Sequence, residues 1–320
     1  MRKRRLPRRA RWYRGAAVRL LLVVNSFASS VTARNTVVVH QQLARHHDVQ
    51  VVETNRRGHA TRFAQDAARR GLDAVVAFGG DGTLNEVATG VAGSETALAV
   101  LPGGSTNVFA RTLGMPNDPA AAVKQLVTAL DNENVKPIGL GNCNGRYFCF
   151  HTGVGYDAAV VRLVERRAAL KRYLGHPMFV GAALQTWAIG YGRKNPHFSV
   201  RIGETAPTPG FFSIVMNTNP YTFLGKRPLN LSPVANLDTG LSVITFTSLS
   251  ATNVLGSLGR ALFRGSVHAN KHLTLHENVS ALTVENDRPF PYQLDGDYLG
   301  ETTELRFTHV PNAVKLVVPA

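Results

Sequence analysis

Cysteine is nearly absent. The 320 residues hold only Cys143 and Cys149, with no CxxC pair and no Cys/His spacing that would seat zinc, so neither a disulfide framework nor a zinc site organises this chain. Both cysteines read as packing residues of the strand-like run 147–150, with pairing between them left open, and a reducing cytoplasm suits them. Long apolar runs are missing too. No stretch approaches the roughly 20 residues that a membrane-spanning helix needs, so contact with a bilayer would be peripheral. The run Val-Arg-Leu-Leu-Leu-Val-Val at residues 18–24 is short, contains Arg19 and enters a polar turn without an A-x-A cleavage pattern. It reads as a buried first strand rather than a signal peptide. Neither HExxH nor GxxxxGK[ST] occurs, which leaves zinc hydrolysis and P-loop chemistry without support. Internal repeats are absent, and no segment is of low complexity beyond a basic start.

That start lacks acid altogether. Arg2, Lys3, Arg4, Arg5, Arg8, Arg9, Arg11 and Arg14 stand within the first fourteen residues, and removing those eight from the formal charge of +15 leaves +7. The basic excess is thus shared between a tail and the body, and the body alone would be drawn to an anionic surface. Nucleic acid would favour basic residues interleaved with aromatic ones, a pattern missing outside Trp12-Tyr13, so no nucleic acid partner is expected and anionic lipid is preferred. Hydrophobic residues at 44% and charged residues at 18% are ordinary globular values.

The length favours two lobes. Through about residue 138, short β-branched runs at 20–25, 49–53, 74–78 and 97–102 alternate with helical stretches at 31–46, 61–70, 83–91 and from Pro119 onward, the pattern of a mostly parallel sheet in a three-layer α/β/α lobe. Beyond it, strands at 147–155, 197–202, 211–217, 240–246, 273–276, 280–286 and 304–310 alternate between turns, as in an antiparallel β-sandwich lobe. One helical interruption, 157–187, carries Arg162, Arg166, Arg167, Lys171 and Arg172. The division is a basic, flexible tail over 1–16, a nucleotide-binding lobe over 17–138 and a substrate lobe over 139–320, the last strand being free to return to the first lobe. His268, His272 and His276 share a helical spacing, but the intervening Leu273-Thr274-Leu275 reads as strand, which removes the common stripe and makes them surface histidines.

Chemistry concentrates where the third strand meets its helix, at Gly79-Gly80-Asp81-Gly82-Thr83-Leu84-Asn85-Glu86-Val87. Glycines let the backbone turn sharply and approach a ligand, so main-chain N–H groups and a helix N-terminus can cradle polyphosphate oxygens. Asp81 offers a carboxylate where Mg²⁺ bridging those phosphates would sit, directly or through water. By itself a Gly-Gly-Asp-Gly turn is weak evidence, since turns use these residues for local reasons.

This segment resembles the GGDGTxNEV signature of the diacylglycerol kinase catalytic-domain family, which includes sphingosine kinases and related bacterial lipid kinases. Four further family elements follow the same order: Thr54 before Gly58-His59-Ala60; Pro102-Gly103-Gly104-Ser105-Thr106-Asn107-Val108-Phe109-Ala110-Arg111; Gly153-Val154-Gly155-Tyr156-Asp157-Ala158; and Asp295-Gly296-Asp297. The resemblance spans nearly the whole chain. It implies a two-lobed, ATP-dependent and Mg²⁺-dependent lipid kinase with its active site in the cleft between lobes, acting on diacylglycerol or a related lipid at a membrane surface. By that likeness Thr54, Gly58, Gly79, Gly80, Asp81, Gly82, Thr83, Asn85, Glu86, Gly104, Ser105, Thr106 and Asn107 contact nucleotide, together with Asn25, Ser26 and Ser29 of the first turn. Family members usually read N-P-x-x-G at that turn, and its Pro and Gly are missing here.

Asp295 and Asp297 are both candidates for the base that takes the proton of the lipid hydroxyl. The family's last acid is usually Glu, and the bland reading of Asp-Gly-Asp is a hairpin turn. A structural Mg²⁺ in a D-D-G-x-L-type turn would fall on Asp238, but Thr239 replaces the neighbouring acid and so removes a hard ligand. The basic helix and the basic tail are expected to anchor the protein peripherally to anionic membrane from the cytoplasmic side, and β-rich lobes of this kind leave a homodimer open. Two rivals remain. An NAD kinase shares the GGDGT turn, though no LGF-type segment is found downstream, and a non-catalytic lipid-binding protein on the same fold would suit the positive charge.

Overall fold

Leu20, Leu21, Leu22, Val23 and Val24 leave a strand no polar side, so it must be covered on both faces. In the computed structural model, which describes residues 17–165 and 195–319, they form β1 (Arg19–Val24), whose residues are buried apart from Arg19. Helix α1 (Ala33–Ala44) follows, its first turn closed by Thr32 Oγ1 accepting the Asn35 amide. Next come β2 (Asp48–Glu53), α2 (His59–Arg70), β3 (Ala74–Gly79), α3 (Asp81–Val91), β4 (Ala97–Pro102), the short α4 (Val108–Thr112) and α5 (Pro119–Asp131). α5 starts as its sequence dictates, with Pro119 in the first turn and Asp118 accepting the Ala121 amide.

The strands β2, β1, β3 and β4 lie parallel in that order. Right-handed crossovers put α1 on one face and α2 with α3 on the other; α1 packs beside α5, and α2 against α3. The α2–α3 contact is backbone-close: a Cβ added at Gly90 would come within 2.5 Å of Ala64 Cβ and 2.6 Å of Thr61 O.

The rest of the described chain comprises β5 (Val135–Cys143), β6 (Arg146–Phe148), β7 (His151–Gly155), α6 (Tyr156–Glu165), β8 (Phe198–Arg201), β9 (Thr208–Gly210), β10 (Phe212–Met216), β11 (Thr222–Leu224), β12 (Arg227–Leu229), β13 (Leu241–Phe246), α7 (Ala251–Phe263), β14 (Leu273–Val279), β15 (Ala281–Leu294) and β16 (Asp297–Val317). Antiparallel pairing joins β14, β13, β10, β7, β15 and β16 in that spatial order, with β8 on β15 and β9 on β8, and β5 on β16 and β6 on β5. Strand residues alternate between two cores: Val215 and Val243 face one, while Ile214, Met216, Ile244 and Phe246 face the other beneath α7. The mixed α/β class with a parallel first sheet and antiparallel later strands is the architecture expected. The two sheets are also continuous, because Leu316 of β16 pairs in parallel with Leu98 of β4.

Some local expectations change. α3 begins at Asp81, not Thr83, so the acid belongs to a helical first turn. The run expected as one strand over 147–155 is broken at Cys149 and Phe150, because the amides of residues 149–151 turn toward Asp295. β15 and β16 run far past the expected 280–286 and 304–310, and a register shift between Glu285 and Phe290 lets the ladder pass Pro289. The basic tail over 1–16 lies outside the described residues, as do Arg166, Arg167, Lys171 and Arg172. Arg162, the described member of that basic set, is paired with Glu301 at 2.9 Å rather than facing outward alone.

Candidate active site

Three loops meet at the C-terminal ends of β1, β3 and β4. The meeting is backbone to backbone: the Gly103 amide donates to Gly79 O at 2.8 Å and the Ser30 amide to Gly103 O at 2.8 Å. Side chains would prevent this. A Cβ at Gly103 would stand 2.8 Å from Gly79 Cα and 2.6 Å from Val31 Cγ2, and one at Gly104 would stand 2.8 Å from Gly80 Cα.

The β1 loop is pinned despite lacking Pro and Gly. Asn25 donates its amide to Phe78 O at 2.9 Å and its side chain to Thr83 Oγ1 at 2.9 Å, while Asn25 Oδ1 accepts the Phe27 amide. Ser26 and Ser29 are exposed at the rim. In the β4 loop, Asn107 adopts a left-handed backbone and ties the turn to itself: Oδ1 accepts the Gly104 amide at 2.7 Å and Nδ2 donates to Gly104 O at 2.8 Å. Ser105 is exposed and Thr106 half-buried beside it.

Helix α3 enters this junction without a side-chain cap on its first turn. Uncapped amides carrying the positive end of the helix dipole, flanked by close-packed glycines, make a turn suited to an anion. Phosphate oxygens fit it, because main-chain donors suffice and Cβ atoms are absent from Gly79, Gly80, Gly82 and Gly104.

The polar members of the signature do other visible work. Asp81, expected beside the metal, points both oxygens at the start of α4, accepting the Val108 amide at 3.0 Å and the Phe109 amide at 3.1 Å. Burial raises its carboxyl and those two bonds pull it back. Glu86, expected toward nucleotide, turns to α2 and accepts the Gly58 and Ala60 amides at 2.8 and 3.1 Å. Asn85 donates from Nδ2 to Tyr147 O and to Asp295 Oδ2, both at 2.8 Å, which clasps α3 to the β15–β16 turn. Thr54 is buried, its amide on Val24 O.

The two candidate bases separate. Asp295 and Gly296 both have positive φ, 47° and 85°, the two-residue hairpin turn that Asp-Gly favours. Asp295 itself is buried and accepts four hydrogen bonds: the Cys149, Phe150 and His151 amides at 2.6, 2.9 and 3.1 Å, besides Asn85. Burial pushes its carboxyl up to about 7, against four donors that favour the anion. Asp297 stays about one-third exposed and stands over α3, so that a Cβ at Gly82 would lie 3.4 Å from its Oδ2. Arg57 Nη2 approaches Asp297 Oδ1 at 3.6 Å from the β2–α2 loop.

Sequence reasoning passed over this arginine, although it lies inside the quoted Thr54 element. It also passed over a buried chain below the turn: Tyr221 donates its hydroxyl to Asp157 Oδ1, Gln293 Nε2 donates to Asp157 Oδ2 at 2.8 Å, and Gln293 Oε1 accepts the Gly296 amide at 2.8 Å. Asp157 was quoted in its motif; nothing in the sequence links it to Tyr221 or Gln293. His151, its ring tilted against that of Tyr221, is held neutral, its pKa lowered by burial to about 3.

No cluster of three or more His, Cys, Asp or Glu side chains stands together among the described residues. A Mg²⁺ at the cradle would have to be held mainly by phosphates and water, with Asp81 the carboxylate inside the turn. Asp238 does not fit a structural metal: it is exposed, Thr239 beside it is uncharged, and the Lys136 ammonium lies 3.6 Å from its Oδ2.

Residues 19–143 match the family described as diacylglycerol kinase catalytic domain. A Pseudomonas aeruginosa protein named "Probable lipid kinase YegS-like" is 30% identical over 312 residues, 94% of each chain. A diacylglycerol kinase of Staphylococcus haemolyticus is 36% identical over 261 residues, covering 78% of this chain and 72% of its own. In fold, the chain is similar to a crystal structure of a Bacillus anthracis diacylglycerol kinase, with a TM-score of 0.68 at 19% identity over 94% of this chain and 96% of that one.

Proposed function

Because this chain belongs to the diacylglycerol kinase catalytic-domain family of lipid kinases, we propose that it transfers the γ-phosphoryl group of ATP to a hydroxyl of diacylglycerol, giving phosphatidic acid. The observation that carries this reading is the uncapped first turn of α3 between two touching glycine pairs, with a partly exposed carboxylate beside it.

Phosphoryl transfer asks the protein mainly for positioning and charge stabilisation. In the proposed mechanism the first-turn amides of α3 and the backbone of Gly79, Gly80, Gly103 and Gly104 hold the polyphosphate oxygens, while the Asn25 and Ser30 bonds keep the loops from spreading. Mg²⁺ bound with the phosphates would neutralise charge developing on them, with Asp81 able to act through water. Asp297 is the base: it takes the proton of the lipid hydroxyl as that oxygen attacks. Supporting it over Asp295 are its partial exposure and its one long ion pair, whereas Asp295 has four donors and a buried site. Arg57 balances the Asp297 charge beside incoming phosphate.

The lipid would be reached from a membrane surface on the cytoplasmic side. Among the described residues no helix is long and apolar enough to cross a bilayer. Incubation with radiolabelled ATP and either dispersed diacylglycerol or NAD is the test: label should enter phosphatidic acid, and label confined to NADP would sink this reading.

A further inference from the structure

The sequence between Glu204 and Glu277 contains one acid, Asp238. Much of this stretch folds around α7 and the β11–β12 hairpin. Helix α7 carries no charge until Arg260; Gly256 and Thr252 face solvent one and two turns earlier, while Ser257 and Ala261 are buried. The helix then ends on an aromatic side chain in the open, Phe263, which is 81% exposed and flanked by exposed Arg260 and Arg264. The hairpin is its neighbour. Leu229 and Leu231 share a core with Ala261 and Val267, and the Val267 amide donates to Leu231 O at 2.9 Å. This brings Lys226 and Arg227, both exposed, to the same edge. None of these four cations has an ion-pair partner among the described residues.

The edge borders the cleft. Arg111 of α4 donates to Gly225 O at 2.8 Å and lies 3.7 Å over the Phe223 ring, and α4 is the helix whose first amides hold Asp81. A surface resting on this edge would therefore be next to the phosphate cradle.

We propose that the end of α7 and the β11–β12 hairpin form a docking face for anionic membrane, with Phe263 entering the head-group region and Arg260, Arg264, Lys226 and Arg227 meeting lipid phosphates. Charge complementarity selects this partner. An isolated exposed phenylalanine needs no explanation, but one rimmed by unpaired cations matches the interfacial pattern, in which apolar insertion and attraction to acidic lipid add. Nucleic acid is disfavoured, since the face presents one aromatic ring rather than a row on which bases could stack. The proposal deepens the lipid-kinase reading and rests on it for its purpose, though its measurement stands apart.

Full-length protein is sedimented with vesicles of phosphatidylcholine, with and without phosphatidylglycerol, and compared with Phe263→Ala, Arg260→Gln/Arg264→Gln and Arg260→Glu/Arg264→Glu. Each cation near an acidic surface contributes on the order of fivefold in partitioning, so the double Gln variant should bind anionic vesicles roughly twentyfold more weakly, the double Glu variant more weakly still, and Phe263→Ala about tenfold more weakly. All variants should keep the wild-type melting temperature and the wild-type turnover on a short-chain diacylglycerol dispersed in detergent. Unchanged vesicle binding in all three variants overturns the proposal, and so does binding of an RNA oligonucleotide that is lost in the variants while vesicle binding is kept. A wild type that binds vesicles through this face yet phosphorylates no lipid would leave the docking face standing and remove the kinase reading.

Discussion

Asp295 and Asp297 lie two residues apart in a hairpin, where alternation should set their side chains on one side, yet their surroundings are opposite. Asp295 adopts the left-handed backbone of a turn and sinks among four donors, while Asp297, the first residue of β16, faces Gly82. Replacing Asp297 with Asn should lower turnover by about a hundredfold to ten-thousandfold, as expected for a lost general base. Its melting temperature should barely move, because an exposed ion pair such as that with Arg57 contributes little. Asp295→Ala should instead unfold at lower denaturant, by on the order of 3 kcal/mol or more, since four buried donors lose their acceptor. Equal loss of stability in the two variants would contradict this division. His151 supplies a pH test. Its native pKa is lowered by burial to about 3 from an ordinary 6.5, so below about pH 6.5 the unfolded chain takes up a proton that the native imidazole refuses. Stability linked to His151 is therefore present above pH 6.5 and lost as the pH falls. His151→Gln should gain on the wild type as the solution is acidified, by up to about 1.4 kcal/mol per pH unit, read from urea midpoints.

The elements around the cradle differ in how tightly their glycines are held. At Gly103 an added methyl would strike Val31 Cγ2 and the Gly79 backbone, whereas at Gly80 it would meet only Gly104 Cα, at an ordinary 3.6 Å. Gly103→Ala should thus destabilise the fold by about 1–3 kcal/mol through forced overpacking. Gly80→Ala, on an extended backbone that any residue adopts, should keep its stability within about 0.5 kcal/mol and raise the KM for ATP roughly tenfold by displacing phosphate from the amides. Thermal melts beside initial rates at varied ATP separate these outcomes. The short α4 belongs to the same unit: its N-terminus is held by Asp81, and its far end meets the β11–β12 hairpin through Arg111.

At the scale of the molecule, β16 is the strand both halves share. Its early residues pair with β15, and its last turn of ladder reaches β5 and β4. Leu316 is fully buried where these meet. Truncating it in Leu316→Ala should lose about 2–5 kcal/mol, and calorimetry should still show one transition at a lower temperature. A first lobe melting alone would mean that the shared sheet does not couple the halves. The Asn85–Asp295 clasp adds a second tie between α3 and the β15–β16 hairpin.

Local sequence determined the parallel strands, because β1, β3 and β4, covered on both faces, must be unbroken apolar runs, and the capped helices α1 and α5, because Thr32, Asp118 and Pro119 act within one turn. It also determined the glycine-rich turn between β3 and α3, since glycines after a strand and before a helix let the backbone bend with its amides uncovered. Tertiary structure alone decided the rest. Only the folded chain breaks the strand at Cys149 and Phe150, because the acceptor of those amides is 145 residues away in sequence, and only there does Asp81 start a helix by capping another. Which aspartate is buried and which is open at the cradle depends on what packs against a hairpin turn, and residues adjacent in the chain carry no record of partners brought from other strands.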